Sequence, residues 1–351
     1  MEQAITTRRK IFAGLGWALA ALAYGVAFAD SSPPRPRVLT LAVPEGVARI
    51  AVGAVDGRSA AVLTDRTGRT FALVLAPDGV LQLQPTVVPP SPRRPDMLPD
   101  GELTAGTRNI AAAWLVGPTA RYAHGVLGDA IEAEGVAVET ADGHRLELRL
   151  PEDSVFEDRY PRLADIDGDG ADEILVVRSY LDRGAALAVI KARTDGLAIV
   201  AETPALGRPN RWLNPVGVAD FDGDGRNEVA LVETPHIGGV LKLYRWRDGG
   251  LAPAFSFSGV ANHAIGSRAL ALSAALDANG DGIPDLLIPD QSRHRLLILT
   301  YAGGRLAEIA AIPHSHPIVT DIAVADLDGN GKADAVYALA DGTIVALLFG
   351  R

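Results

Sequence analysis

The sequence predicts an all-β chain folded as a single β-propeller, and three observations predict it. An acidic nine-residue segment recurs four times, starting at Asp165, Asp220, Asp277 and Asp326, with the starts 55, 57 and 49 residues apart. Each copy joins one short apolar run to the next, and further strand-like runs separate it from the following copy. The composition carries 37 Gly and 23 Pro with only 5% aromatic residues, which suits short strands and tight turns better than helices. Self-similarity at this spacing marks a repeat architecture, and four short antiparallel strands per repeat make one propeller blade. Six blades are expected, with seven as the alternative.

Residues 1–29 read as a signal peptide. Arg8, Arg9 and Lys10 form a basic start, residues 11–28 are apolar and uncharged, and Ala27-Phe28-Ala29 fits a small-residue cleavage site before Asp30. The Arg8-Arg9 pair raises the twin-arginine route beside general secretion. An uncleaved membrane anchor is the competing reading, although the apolar run is somewhat short for a span. The expected location is therefore periplasmic or extracellular, with no membrane span in the mature chain. Removing residues 1–29 takes away three basic residues and one acid, so the formal charge of −10 becomes −12. Such a chain shows no basic stripe, which argues against a nucleic-acid partner.

Residues 30–36 read as a linker and 37–351 as the propeller. Arg37–Val43 alternates like a strand. The first blade follows at about 46–86, with strand-like runs Ala48–Val55, Ser59–Thr64, Thr70–Ala76 and Val80–Gln84; it keeps only Asp56-Gly57 where a metal loop would stand, so no site is expected there. The Pro-rich residues 85–106 read as a long connection within one propeller, or else as a domain boundary. A divergent second blade at about 107–150 is expected from Asn109–Val116, Tyr122–Leu127, Gly135–Thr140 and Arg145–Leu150. Clearer blades follow at about 160–203, 215–257 and 269–311. The last, 318–351, has only three strands, and Arg37–Val43 is the spare strand that would complete it and close the ring. Closure removes the exposed edges of a linear array.

The acidic segments have the chemistry of Ca²⁺ loops. Asp220, Asp222, Asp224 and Glu228 stand at positions 1, 3, 5 and 9, with Gly223 and Gly225 at 4 and 6. Ca²⁺ takes six to eight oxygen ligands, and alternating carboxylates on a tight loop can supply them. The main-chain carbonyl at position 7, here Arg226, would add one more. The other copies are Asp165, Asp167, Asp169, Glu173 with Ala171 at position 7; Asp277, Asn279, Asp281, Asp285 with Ile283; and Asp326, Asp328, Asn330, Asp334 with Lys332. Unneutralised, carboxylates this close repel. About four Ca²⁺ ions with a mainly structural role are expected, each tying a blade's first strand to its second.

At Ala164–Ile174, Ala219–Val229, Leu276–Leu286 and Ala325–Ala335 the sequence resembles the Ca²⁺-binding propeller repeats known as FG-GAP or VCBS repeats, as in the integrin α-subunit head. The Phe-Gly and Gly-Ala-Pro signatures do not recur as a pair, which favours the bacterial VCBS-type branch. The resemblance implies a propeller and Ca²⁺ sites; it implies no single activity, because the family's scaffolds carry adhesion modules, lectin-like binders and domains attached to enzymes.

Propeller topology puts the metal loops on one face. The opposite face is expected to collect Arg121, Tyr160, Arg211, Trp212, Asn214, His236, His263, Arg268, His314 and His316. Arg, His and aromatic residues gathered on an acidic protein suit a polar or anionic ligand. The function read from this is a binding module for a protein or glycan. A propeller polysaccharide lyase or hydrolase using Glu157, Asp158, Tyr160 and His263 is the alternative, and a scaffold without small ligand is the second alternative. His314 and His316 could also pair on a transition metal. No nucleophile-elbow, zinc-protease or phosphate-loop motif and no Cys is present, so no catalytic residue is assigned.

Overall fold

The structure is a computed structural model that describes residues 35–350 apart from Asp56 and Gly57. The leader read in residues 1–29 and the Asp56-Gly57 turn lie outside the described residues. The described chain is all β, with strands β1 (Arg37–Ala42), β2 (Val47–Val55), β3 (Arg58–Asp65), β4 (Thr70–Leu75), β5 (Leu81–Pro85), β6 (Thr104–Ala105), β7 (Ile110–Thr119), β8 (Glu132–Thr140), β9 (Arg145–Arg149), β10 (Ser154–Phe156), β11 (Arg162–Ala164), β12 (Glu173–Tyr180) and β13 (Gly184–Arg193). They continue as β14 (Gly196–Glu202), β15 (Leu213–Ala219), β16 (Glu228–Glu233), β17 (Val240–Arg247), β18 (Gly250–Ser258), β19 (Ala274–Leu276), β20 (Asp285–Pro289), β21 (Arg295–Thr300), β22 (Ala307–Pro313), β23 (Ala323–Ala325), β24 (Asp334–Ala338) and β25 (Thr343–Leu348). Among the described residues no helix is long and apolar enough to cross a membrane.

These strands form five antiparallel sheets. Three are simple four-stranded meanders: β2–β5, β15–β18 and β19–β22. A longer sheet holds two such runs, β6–β9 and β11–β14, joined through β10. The last has the order β1-β25-β24-β23. There Arg37 lies opposite Leu348 and Ala42 opposite Thr343, so the first strand of the chain is the outer strand of its last sheet.

The burial pattern follows from position in the meander. The second strands (β12, β16, β20, β24) are covered on both faces and read as near-continuous apolar runs, such as Ile174–Val177 and Leu286–Ile288. The outer strand β22 is partly exposed along its length. Apolar side chains then pack sheet against sheet. Tyr337 and Ile298 share a cluster between β19–β22 and β23–β25. Other clusters join β15–β18 to β19–β22 around Phe221, β11–β14 to β15–β18 around Leu187 and Leu231, and the last sheet to β2–β5 around Ile50 and Ile344.

One expected strand is absent. Tyr122–Leu127 belongs to an irregular segment between β7 and β8, with Gly125 and Gly128 at φ 65° and 100°. The inner strand of that run is instead β6, drawn from the Pro-rich connection, and Met97 bridges to Val116 beside it. Tyr122, Val126 and Leu127 are buried as a strand would be. Their burial comes from packing on neighbouring elements: Val126 and Leu127 join the cluster of Leu175, Leu213 and Leu270. An apolar run alone does not distinguish that packing from strand pairing.

Candidate metal loops and the opposite face

All four acidic loops join a first strand to a second: β11 to β12, β15 to β16, β19 to β20 and β23 to β24. They share one hydrogen-bond plan. The first Asp accepts the N–H groups of both glycines, as Asp220 does from Gly223 at 2.8 Å and Gly225 at 2.8 Å. The third residue accepts from the fifth, and the fifth from the seventh. The ninth residue reaches back to the N–H of the second: Glu173 to Ile166, Glu228 to Phe221, Asp285 to Ala278 and Asp334 to Leu327, each at 2.9 Å. The second residue anchors the loop through an apolar side chain, fully buried in Phe221. Both glycines sit at positive φ in every copy, for example 76° at Gly223 and 85° at Gly225, a region that costs other L-residues about 1–2 kcal/mol.

Three loops bring three carboxylates to one point, with ligand atoms all within 4.8 Å of one another: Asp165, Asp167 and Glu173; Asp220, Asp222 and Glu228; Asp326, Asp328 and Asp334. These are positions 1, 3 and 9. Asp169 and Asp224 are outside the groups. Like Asp281 and Asn330, they accept the N–H of position 7, contributed by Ala171, Arg226, Ile283 and Lys332 respectively. In the Asp277 loop Asn279 replaces the third-position carboxylate. The ninth-position acids are buried, and burial pushes the Glu173 and Asp334 carboxyls up, Asp285 up to about 6 and Glu228 up to about 7. Asp224 and Asp220 add to the Glu228 shift, and the Phe221 N–H bond opposes it; the Arg245 Nε lies 2.9 Å from the same carboxylate. Buried Asp285 holds an Oδ1 with no hydrogen-bond partner among the described residues, and a hard cation accepting that oxygen fits the donor set.

The eighth position carries a role that sequence reading missed. Asn227 donates to the Asp165 carbonyl at 2.7 Å, and the Asp172 N–H donates to Asn109 at 2.7 Å. These two loops thereby hold the runs before them. The signal was present as a polar residue beside the ninth-position acid, but its partner lies 62 or 63 residues away. A cleft of about 560 Å³ lies between the Asp165 and Asp220 loops and includes Arg245 and Trp246.

The antiparallel meander carries the second-to-third turns and the entries to the first strands to the end opposite the loops. The residues expected there fall into three groups. Trp212, Asn214 and His263 are buried and already engaged. Trp212 Nε1 donates to the Glu157 carbonyl at 3.0 Å, and Asn214 Nδ2 donates to the carbonyls of Asn262 and Leu270. His263 and His236 share a hydrogen bond of 2.8 Å, with the His236 ring stacked on Trp212 at 6.1 Å. Burial pushes His236 down to about 4 and His263 down to about 3, so both rings are neutral at pH 7.

The segment between β7 and β8 covers this group. Gly266 donates to the Val126 carbonyl, and Asn210 donates to the Tyr122 hydroxyl at 2.9 Å. His124 Nδ1 lies 2.6 Å from Glu157, whose other oxygen accepts from Ser179. Burial and Glu157 push Glu132 up beneath it. Asp158 pairs with Arg162 at 2.7 Å, and the Arg162 guanidinium lies over the Tyr160 ring at 4.7 Å. Glu157 and Asp158 thus serve as cross-links with His124 and Arg162, and His263 meets His236 instead of either carboxylate.

A second group surrounds a small polar cavity of about 190 Å³, lined by Arg49, Glu102, Arg159, Arg268, Thr320 and Asp321. Of these, Arg268 was expected as a ligand residue. The third group disperses. Arg121 donates to the Ser154 carbonyl at 2.7 Å, and Arg211 is half-buried next to Trp212. His314 bonds the Tyr337 hydroxyl at 3.0 Å while His316 lies 3.2 Å from Asp341. The two imidazoles thus have separate partners.

The model of the FG-GAP-like repeat matches residues 165–231, 220–288 and 277–337. No curated protein matches the chain. Among solved structures, two crystal structures of BBS1N in complex with ARL6DN, soaked with mercury and with lead, are similar at TM-scores of 0.49 and 0.48. Identity is 11% and 8%; 91% of this chain is covered in both, with 98% and 97% of the other chains. Each family match begins on the first Asp of an acidic loop and runs through the next loop, so the repeat unit is the loop with its flanking strands. The chain is an FG-GAP repeat protein.

Proposed function

We propose that the chain is a closed six-bladed propeller, fastened by Ca²⁺ and exported, that acts as an interaction module for a protein partner on the face opposite the loops. Six blades follow from counting the longer sheet as two, and the pairing of β1 with β25 supports closure. An ion pair of 3.0 Å between Arg49 and Glu102 supports the junction between the first and second blades. The leader read from the sequence of residues 1–29 supports export, where Ca²⁺ is abundant.

The observation that carries the partner reading is apolar exposure on that face. Ile237, in the turn from β16 to β17, is 61% exposed, and Ile265, in the entry to β19, is 72% exposed. The His236–His263 bond ties their two loops together. Apolar residues beside a charged rim suit a protein surface. A glycan has a separate observation in its favour, the cleft with Trp246 and Arg245 on the loop face. To test the first reading, a partner isolated with the Ca²⁺-loaded chain is purified and rebound to native protein and to the Ile237→Asp/Ile265→Asp variant. We expect at least tenfold weaker binding with an unchanged melting temperature. Equal affinity rejects this surface.

A further inference from the structure

The four loops differ in what faces the inward oxygen of the ninth-position acid. In every copy one oxygen of that acid accepts the second residue's N–H. What the other oxygen meets differs between the copies. Glu228 is paired in register with Arg245, and one step from the pairs Ile174–Ile190, Leu286–Leu299 and Ala335–Leu347 stand Lys191, Thr300 and Leu348. The strand register therefore offers the four loops an ammonium, a guanidinium, a hydroxyl and an apolar side chain.

The contacts follow that offer. Lys191 Nζ lies 2.6 Å from Asp167, 2.8 Å from Asp169 and 3.3 Å from Glu173, touching positions 3, 5 and 9 at once. Arg245 touches Asp222 and lies 2.9 Å from Glu228. In the last loop the second oxygen of Asp334 accepts the Phe349 N–H at 2.9 Å. In the Asp277 loop the corresponding atom, Asp285 Oδ1, is buried and makes no hydrogen bond of proper geometry among the described residues, with the Thr300 hydroxyl beside it favouring the ionised form.

We infer that the Asp277 loop, although it has one carboxylate fewer than the Asp165 and Asp220 loops, takes a divalent cation of the Ca²⁺ class, whereas Lys191 and Arg245 act as internal cations that close those two loops without metal. This rests on the Ca²⁺ reading above and divides it unequally among the repeats. A cation needs unoccupied oxygen ligands, and a fixed positive charge among those ligands both occupies them and repels the ion. More carboxylates therefore do not mean a better site here; the charge across the hairpin decides.

The test counts Ca²⁺ equivalents bound by the full chain after stripping with chelator, by titration with CaCl₂, in native protein and in the Thr300→Lys and Lys191→Met variants. Thr300→Lys places an ammonium opposite Asp285 and is expected to bind one equivalent fewer. Lys191→Met opens the Asp165 loop and is expected to bind one more, and to melt lower than native protein in chelator and recover with Ca²⁺. If native protein binds Ca²⁺ but neither variant changes the count, the inference is overturned and the Ca²⁺ reading stands. If no variant and no native protein binds Ca²⁺, the Ca²⁺ reading falls and takes the inference with it. Should Thr300→Lys not fold, the gain in Lys191→Met still decides.

Discussion

At the scale of the residue, Asp285 gathers the most consequence. Burial holds its carboxyl up at about 6, against an ordinary value of about 3.9. A raised folded value means that the folded chain keeps a proton the unfolded chain has released. Without a cation, stability therefore falls as pH rises from about 4 to 6 and stays lower above that. A cation on Oδ1 reverses the sign by favouring the ionised form. Asp285→Asn removes the buried charge and leaves one neutral oxygen to serve either the Ala278 N–H or the cation. In chelator at pH 7.5 it is expected to melt above native protein; in Ca²⁺ it is expected to melt below; at pH 4.5 in chelator the difference should shrink. Thermal melts in the three conditions check this, and a variant that melts below native protein in chelator at pH 7.5 rejects it. The acidic positions were legible in the sequence from their one-three-five-nine spacing. The partners Lys191 and Arg245 were not, because they lie 18 and 17 residues beyond the ninth position and only the hairpin register brings them back.

At the scale of the element, the second and third strands were legible as apolar runs, as was the outer strand β1, and the inner edge of the second run was not. The expected strand at Tyr122–Leu127 is a covering segment, and a strand of two residues, Thr104–Ala105, came from a Pro-rich stretch. Neither has a periodicity long enough to read. Strand β1 makes a further prediction. It supplies the outer edge of the last sheet through six register pairs with β25, and its loss would leave β25 as an open edge. A chain starting at Val43 is expected to lose several degrees in melting temperature and to self-associate in sizing chromatography. An unchanged melt and a monomeric profile would show that β1 does not hold the sheet. Asn227→Ala, which breaks one bond between successive loops, is a milder change, expected to cost about 1 kcal/mol by denaturant unfolding.

At the scale of the molecule, the loops sit where one sheet meets the next, so an ion bound there acts on the assembly as well as on its own hairpin. Ligands that bind only the folded chain stabilise it by about 2.7 kcal/mol at a hundredfold excess over Kd. Melting in millimolar Ca²⁺ and in excess chelator is expected to differ by several degrees, and superimposable transitions would end the structural role of Ca²⁺. The face opposite the loops changed most between sequence and structure. Trp212, Asn214 and His263 were expected to receive a ligand there, but they are buried: Trp212 Nε1 and Asn214 Nδ2 donate to carbonyls, and His263 meets His236. Polar residues before a strand look the same in sequence whether they face solvent or a neighbouring blade.

By itself the sequence determined the repeat, its spacing, the all-β class and the residues able to hold a hard cation, because these depend on local chemistry repeated along the chain. Only the tertiary structure decided which of those loops already contains a positive charge and which polar residues are buried. Those depend on pairing between strands and on contacts across 50 or more residues, such as Asn214 with Leu270 and Asn227 with Asp165. No pattern within a single loop records them.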